Sequence, residues 1–350
     1  MGISRRTMMS GGLASAVVAL GGLGLWRHNV TLAQARAAVV GVDPELLPWA
    51  LQVAGSPPHG FSDAMLPKLR AGMERFSAAR EPDVPWREVK VPGLPGQPPV
   101  TAFVINAKPG GRRPGIIHTH GGGFFSGRAH YAVGDMQRLA RALDATIVTV
   151  DYRLAPETRF SGAVADGYAA LQWLHAQGEA LGVDRARIAV MGESAGGGLA
   201  ALLAIAARDR GEVPLAFQCL TYPMLDDRTG TTRAAPAGHG VFMWTADANR
   251  YGWRSFLGLE PGGAGVPAAG VPMRCADLAG LPPAWIGVGS IDLFATEDKE
   301  YADRLNKAGV RTRFEEVPGA FHGFDMIAPE TKIARRFAAS RLAALKQALG

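Results

Sequence analysis

Val190-Met191-Gly192-Glu193-Ser194-Ala195-Gly196-Gly197-Gly198-Leu199 is the stretch whose reading decides the fold. It holds Gly-x-Ser-x-Gly with Ser194 at its centre. An apolar run, Ile188 to Met191, enters it, and a small-residue run, Ala195 to Ala207, leaves it with a composition suited to a helix. Strand, sharp turn, helix is the context in which this motif carries chemistry. Such a turn strains the serine backbone and leaves no room for side chains beside it, and glycines at 192 and 196 meet that demand. The Ser194 hydroxyl is then expected at the carboxyl end of a sheet, over a helix amino terminus that favours developing negative charge. The plainer alternative is a Gly-rich strand-helix turn with a capping serine, so the rest of the chain must supply what a nucleophile needs.

Outward from this turn, strands alternate with helices. Apolar runs at Val100–Ala107, Ile116–Thr119, Thr146–Val150, Ile188–Met191, Leu215–Tyr222, Pro283–Gly289 and Thr312–Val317 read as strands, with one more at Arg87–Val91. Thr146–Val150 lacks polar alternation, as expected for a strand buried on both faces. Periodic apolar positions predict helices over Tyr131–Leu143, Ala163–Gly178, Glu297–Ala308 and Glu330–Leu349. The pattern predicts an α/β fold with a mostly parallel central sheet and helices on both faces. Asp43–Ala79 reads as helical and is interrupted at Pro57-Pro58-His59-Gly60. Leu225–Leu259 shows no strand and is rich in aromatics, so it reads as an inserted, partly helical segment.

A serine hydroxyl needs a base, and the base needs a carboxylate to fix its tautomer and steady its charge. In this fold class the chain order is serine, acid, histidine. Two histidines follow Ser194: His239 in the irregular insert, and His322 in a turn between Gly319 and Gly323 after the last strand. His322 is the expected base. Asp226, Asp227, Asp292 and Asp298 lie between. Asp292 stands just past a strand at the same sheet edge and is the expected acid, whereas Glu297 and Asp298 read as an acidic pair in a helix's first turn.

His120-Gly121-Gly122-Gly123 follows the strand Ile116–Thr119. Successive glycines expose backbone N–H groups, which stabilise the oxyanion formed when a carbonyl is attacked. A phosphate-holding loop would carry Lys-Ser/Thr after its glycines or the spacing of a dinucleotide site, and neither is present.

The 350 residues, 47% hydrophobic and 19% charged, describe an ordinary globular chain. The net charge of +6 comes without basic runs interleaved with aromatics, so no nucleic-acid partner is expected. Cys219 and Cys275 cannot build a disulfide framework or a four-ligand zinc site, and two buried free thiols are expected rather than a bridge. At the start, Ser4-Arg5-Arg6-Thr7, an uncharged run from Gly11 to Trp26, and Ala33–Ala37 have the order of a twin-arginine export signal. Residues 1–37 are therefore set apart from the fold, 38–350 form the catalytic domain, and a periplasmic or secreted location follows. The apolar run is too short and Gly-rich for a membrane span.

These motifs resemble the hormone-sensitive-lipase-like (family IV) branch of α/β-hydrolase carboxylesterases. The likeness rests on His120-Gly-Gly-Gly-Phe124, Asp151-Tyr-Arg-Leu-Ala-Pro-Glu157, Gly192-Glu-Ser-Ala-Gly-Gly197 and His322-Gly-Phe324, and it spans roughly Asp43 to the end. It implies Ser194 as nucleophile, His322 as general acid/base and Asp292 as the orienting carboxylate. It also implies an oxyanion hole of the Gly122, Gly123 and Ala195 N–H groups, with His120 and Gly121 bracing the loop and Asp151–Glu157 buttressing the site. Glu193 stands where Asp or Thr is usual and reads as support for the site, and Leu293-Phe294 replaces Pro-Leu. The family's helical cap would come from residues 43–79 and 225–259. The apolar composition of these segments suggests an acyl pocket lined by Phe124, Phe242, Met243, Trp244 and Phe321, with plain core an equal alternative for each.

The expected reaction is two-step hydrolysis of short- to medium-chain acyl esters, without metal or cofactor, on a small-molecule partner, in a monomer or a homodimer. An amidase, lactonase or deacetylase would use the same triad. A non-catalytic receptor on this scaffold, as in the gibberellin receptors, would lack a triad member, and all three are present.

Overall fold

The structure, a computed structural model, describes residues 39–53 and 60–350. The leader and the Pro57-Pro58-His59 break lie outside the described residues. Among those described, eight strands make one sheet: β1 (Trp86–Val91), β2 (Val100–Ile105), β3 (Arg113–Thr119), β4 (Thr146–Asp151), β5 (Val183–Glu193), β6 (Phe217–Thr221), β7 (Ala284–Gly289) and β8 (Thr312–Val317). Their order is β1-β2-β4-β3-β5-β6-β7-β8. β2 is antiparallel to both β1 and β4, and every pair from β4 to β8 is parallel. All residues of β3, β6 and β7 are buried, which is why these strands read as unbroken apolar runs. The edge strands β1 and β8 expose charged side chains, which discourages pairing with another chain.

The helices are α1 (Leu47–Val53), α2 (Leu66–Gly72), α3 (Ala129–Leu143), α4 (Phe160–Ala176), α5 (Gly178–Leu181), α6 (Ala195–Arg210), α7 (Ala246–Leu257), α8 (Ala295–Lys307), α9 (Phe324–Ile327) and α10 (Lys332–Leu349). One apolar core on one sheet face joins Leu171, Leu174, Leu199, Leu203 and Leu305 of α4, α6 and α8. The opposite core joins Ala50, Val133, Trp285, Phe337 and Leu345, from α1, α3, β7 and α10. Burying the serine's helix α6 on nearly every side suits its Ala- and Gly-rich sequence.

β5 is longer than its apolar run. It begins at Val183, which pairs with Arg113 before a register shift leads into Gly115 against Ile188. The charges at Asp184, Arg185 and Arg187 hide this extension from the sequence pattern, and Arg187 spends its guanidinium on the Leu349 and Arg112 carbonyls. Cys219 is a buried free thiol, but Cys275 is only partly buried, in a surface loop beside Arg208. No helix among the described residues is long and apolar enough to cross a membrane.

Candidate active site

Ser194 sits between β5 and α6 with φ 57° and ψ −125°, a backbone conformation that costs a non-glycine residue about 1–3 kcal/mol. Three backbone hydrogen bonds hold it: its N–H donates to the Thr221 carbonyl (3.0 Å), and its carbonyl accepts from Gly198 (3.0 Å) and Met224 (2.9 Å). The strain falls on the serine itself, while the flanking glycines supply room. A Cβ on Gly192 would lie 2.3 Å from the Gly196 oxygen, and one on Gly198 would lie 2.1 Å from the Met224 oxygen.

The last strands bring the other two groups over. Asp292 follows β7 and His322 follows β8, before the left-handed Gly323 that starts α9. His322 Nε2 is 2.9 Å from Ser194 Oγ, and Nδ1 is 2.8 Å from Asp292 Oδ2. A carboxylate can only accept, so Nδ1 carries the proton and Nε2 presents a lone pair to the serine hydroxyl. The other Asp292 oxygen accepts the Phe294 N–H at 2.9 Å, so the carboxylate is fixed from both sides. Asp292 is 1% exposed, and Ser194 and His322 are 7% exposed, so the chain is reachable at the serine end and sealed at the acid end. Phe294 and Tyr222 stand edge-on to the imidazole, with centroids at 5.2 and 4.8 Å.

The glycine loop lies against the serine: a Cβ on Gly121 would be 3.4 Å from the Ser194 Cβ. Gly122 and Gly123 have φ 122° and 63°, open to glycine. Their N–H groups and that of Ala195 donate no hydrogen bond among the described residues, whereas the Gly122 carbonyl accepts from Phe125, Ser126 and the Ser126 hydroxyl. His120 folds back on the loop, with Nδ1–H donating to the Gly121 carbonyl at 2.8 Å and its ring stacked on Tyr152 at 4.3 Å. Burial holds its imidazole down to about 4, so it is neutral at ordinary pH. The Tyr152 hydroxyl donates to the His120 carbonyl, the Ala155 N–H to the Phe124 carbonyl, and Arg153 pairs with Asp166. The 151–157 turn thus supports the loop from beneath. Glu193 points away from the triad and accepts from His118 Nε2 at 2.9 Å. Burial pushes its carboxyl up, but His118 and Arg341 outweigh that and hold it below the usual range.

The five aromatic and Met positions expected to line a pocket divide. Phe124, Phe242 and Phe321 are at most 1% exposed. Phe124 stacks on Phe256 of α7 at 3.8 Å, and Phe242 packs on Phe321 at 5.4 Å, so all three form the wall behind the site. Met243 and Trp244 keep some exposure. The two segments expected to form a cap meet through Phe61, which stacks on Tyr251, and through the Tyr251 hydroxyl on Asp63 (2.8 Å). Glu297 and Asp298 do lie in the first turn of α8, but both are fully buried rather than solvated. Asp226 pairs with Arg228 and Arg233, and Asp227 with Arg274, so these acids brace the insert.

Two participants have no sequence signature. Tyr222, with φ 36°, donates its hydroxyl to Asp325 at 2.8 Å, and Asn249 accepts the Trp244 indole N–H at 3.1 Å. Their partners lie 103 and 5 residues away, and neither spacing is one that a helix or strand pattern shows.

A buried serine–histidine–aspartate chain at the carboxyl edge of a mostly parallel sheet, facing unpaired loop N–H groups, defines the α/β-hydrolase class of serine enzymes. Residues 116–326 match the family described as alpha/beta hydrolase fold. The chain belongs to that family, in its hormone-sensitive-lipase-like branch. Esterase LipI of Mycobacterium tuberculosis is 37% identical over 212 residues, 60% of this chain and 65% of that protein, just under two thirds of its length. Carboxylesterase NlhH of the same species is 36% identical over 245 residues, 67% of this chain and 74% of that protein. The structure of a bacterial heroin esterase is 37% identical with a TM-score of 0.81, covering 89% of this chain and 99% of that one.

Proposed function

We propose that this protein is a serine carboxylester hydrolase that cleaves short- to medium-chain acyl esters through an acyl-enzyme. The observation that carries it is the continuous chain of contacts from Asp292 through His322 to Ser194 Oγ, at 2.8 and 2.9 Å. His322 Nε2 takes the serine proton as Oγ attacks the ester carbonyl. The carbonyl oxygen becomes negative beside the Gly122, Gly123 and Ala195 N–H groups, where each donor of this kind is worth roughly 10²–10³ in rate. His322 then gives its proton to the departing alkoxide, and the bond from carbonyl carbon to alcohol oxygen breaks. Water, deprotonated by the same nitrogen, attacks the acyl carbon; the bond to Oγ breaks, Nε2 returns the proton to Oγ, and the carboxylic acid leaves. Presence of all three side chains in contact supports turnover rather than a receptor role. Ser194→Ala should abolish hydrolysis of p-nitrophenyl esters while circular dichroism stays native, and appreciable remaining turnover would refute the assignment. An anilide in parallel tests whether amides are also substrates.

We also propose that the enzyme works outside the cytoplasm. Arg5-Arg6, the uncharged Gly11–Trp26 run and the Ala-rich stretch before Ala37 support a cleaved twin-arginine leader. Amino-terminal sequencing of the protein recovered from the periplasm should begin after Ala35 or Ala37. An intact Met1 in cytoplasmic fractions alone would overturn it.

A further inference from the structure

Trp244 stands where the cap, the glycine loop and the histidine meet. Its Cη2 lies 2.3 Å from where a Cβ on Gly123 would be, so the six-membered ring rests on the bare Gly123 backbone. The ring runs nearly parallel to Phe125, 24° off at 6.0 Å, and its centroid is 6.3 Å from that of His322. It keeps 9% exposure where Phe124 and Phe242 keep 1%. The indole is also pinned: Nε1–H donates to Asn249 Oδ1 at 3.1 Å, and Asn249 Nδ2–H donates to the Thr229 carbonyl at 2.8 Å. Asn249 is fully buried in the first turn of α7, which Thr245 caps by accepting the Ala248 N–H.

We propose that Trp244, held by Asn249, is the residue that limits the length of acyl chain the enzyme accepts. This rests on the hydrolase reading and deepens it to short-chain acyl esters. In the attacked ester the carbonyl oxygen faces the loop N–H groups and the leaving oxygen faces His322 Nε2. The indole rests on Gly123 with its centroid 6.3 Å from that of the imidazole, so it walls the loop side of the site, where the acyl chain is taken to lie. Swinging it aside leaves the buried Asn249 amide oxygen without its hydrogen bond, so the wall is stiff. Asn249 is accordingly a positioning residue, acting through the indole.

The test is kcat/KM across p-nitrophenyl acetate, butyrate, octanoate and dodecanoate for the wild type, Trp244→Ala, Trp244→Phe and Asn249→Ala. Each methylene newly buried is worth about four-fold, so Trp244→Ala should raise the octanoate-to-acetate ratio at least ~10-fold. Asn249→Ala should raise it by less, with a broader optimum, and Trp244→Phe should fall between wild type and Trp244→Ala. A matched series of acetate esters of longer alcohols should shift by less than about two-fold in its ratios, since the added methylenes do not reach the indole. An unmoved acyl ratio in these variants, or an equal shift in the alcohol series, overturns the assignment. Should Trp244→Ala fail to fold, the Asn249→Ala ratio decides alone, and no change there overturns it equally. A wild type inert on every ester would instead sink the hydrolase reading, so the two failures are separable.

Discussion

The Thr119 carbonyl oxygen lies 2.0 Å from where a Cβ on Gly196 would sit, and the Thr119 hydroxyl donates to the Gly196 carbonyl at 2.7 Å. The end of β3 and the first turn of α6 are therefore in backbone contact, and that contact sets the glycine loop beside Ser194. Gly196→Ala cannot be absorbed by a side-chain rotation, because what it meets is main chain. Overpacking of this kind costs ~1–3 kcal/mol, and here it also displaces both halves of the reacting site. We expect a lower melting temperature and a fall in kcat/KM of at least ~10², since misplacement by about 1 Å is worth that much. An active, fully stable variant would show that the two backbones have slack.

Tyr222 links the base to the rest of the protein. Its ring stands edge-on to His322, its hydroxyl is anchored on Asp325, and Arg341 of α10 lies 3.8 Å from the same carboxylate. Burial pushes the Asp325 carboxyl up, with Arg341 and the tyrosine hydroxyl acting against it. Tyr222→Phe keeps the ring and removes the anchor. kcat should fall by roughly 3–30-fold with KM little changed, as for loss of an interaction that positions the transition state. A change confined to melting temperature, with kcat untouched, would reduce Tyr222 to a structural residue.

His120 gives a pH signature of its own. Burial lowers its folded-state value to about 4, while an unfolded chain takes up that proton near the ordinary histidine value of about 6.5. Between those limits the unfolded state binds more protons, so stability rises with pH and is lost as pH falls from 6.5 towards 4. The full effect is ~3 kcal/mol. Urea unfolding at pH 7, 6, 5 and 4 should show this slope in the wild type and a shallower one in His120→Asn. Parallel slopes would mean that the buried ring is not the group responsible.

The parts of the site that follow chain order were legible in the sequence. Gly192–Gly196 announces the turn, and Asp292 and His322 each follow a strand whose apolar pattern is plain. The fold was readable for the same reason, since strands buried on both faces leave unbroken aliphatic runs. What stayed hidden depends on tertiary distance or on what a side chain faces. Phe124 and Trp244 are both aromatics beside the site, yet one is sealed under α7 and the other rests on Gly123. No local pattern separates them. The start of β5 was concealed because Asp184, Arg185 and Arg187 spoil its apolar run. Tyr222 and Asp325 meet only because β6 and the turn after β8 end at one sheet edge.

Asp298 is an acid placed where an acid is costly. It is fully buried, and neither carboxyl oxygen finds a hydrogen-bond partner among the described residues. Burial first, then Glu297 and Asp292 nearby, push its carboxyl well above the usual range, which favours the protonated form in the fold. The unfolded chain loses that proton above about 4, so stability falls as pH rises from there towards the folded-state value. Asn at this position keeps the volume and cannot ionise. Asp298→Asn should therefore melt higher than the wild type at pH 8, by a few °C as an order of magnitude, and the gap should shrink towards pH 4. Differential scanning fluorimetry at both pH values measures it. A gap that stays constant with pH would show that Asp298 titrates as an ordinary carboxylate and that Asp292 has a charged neighbour after all.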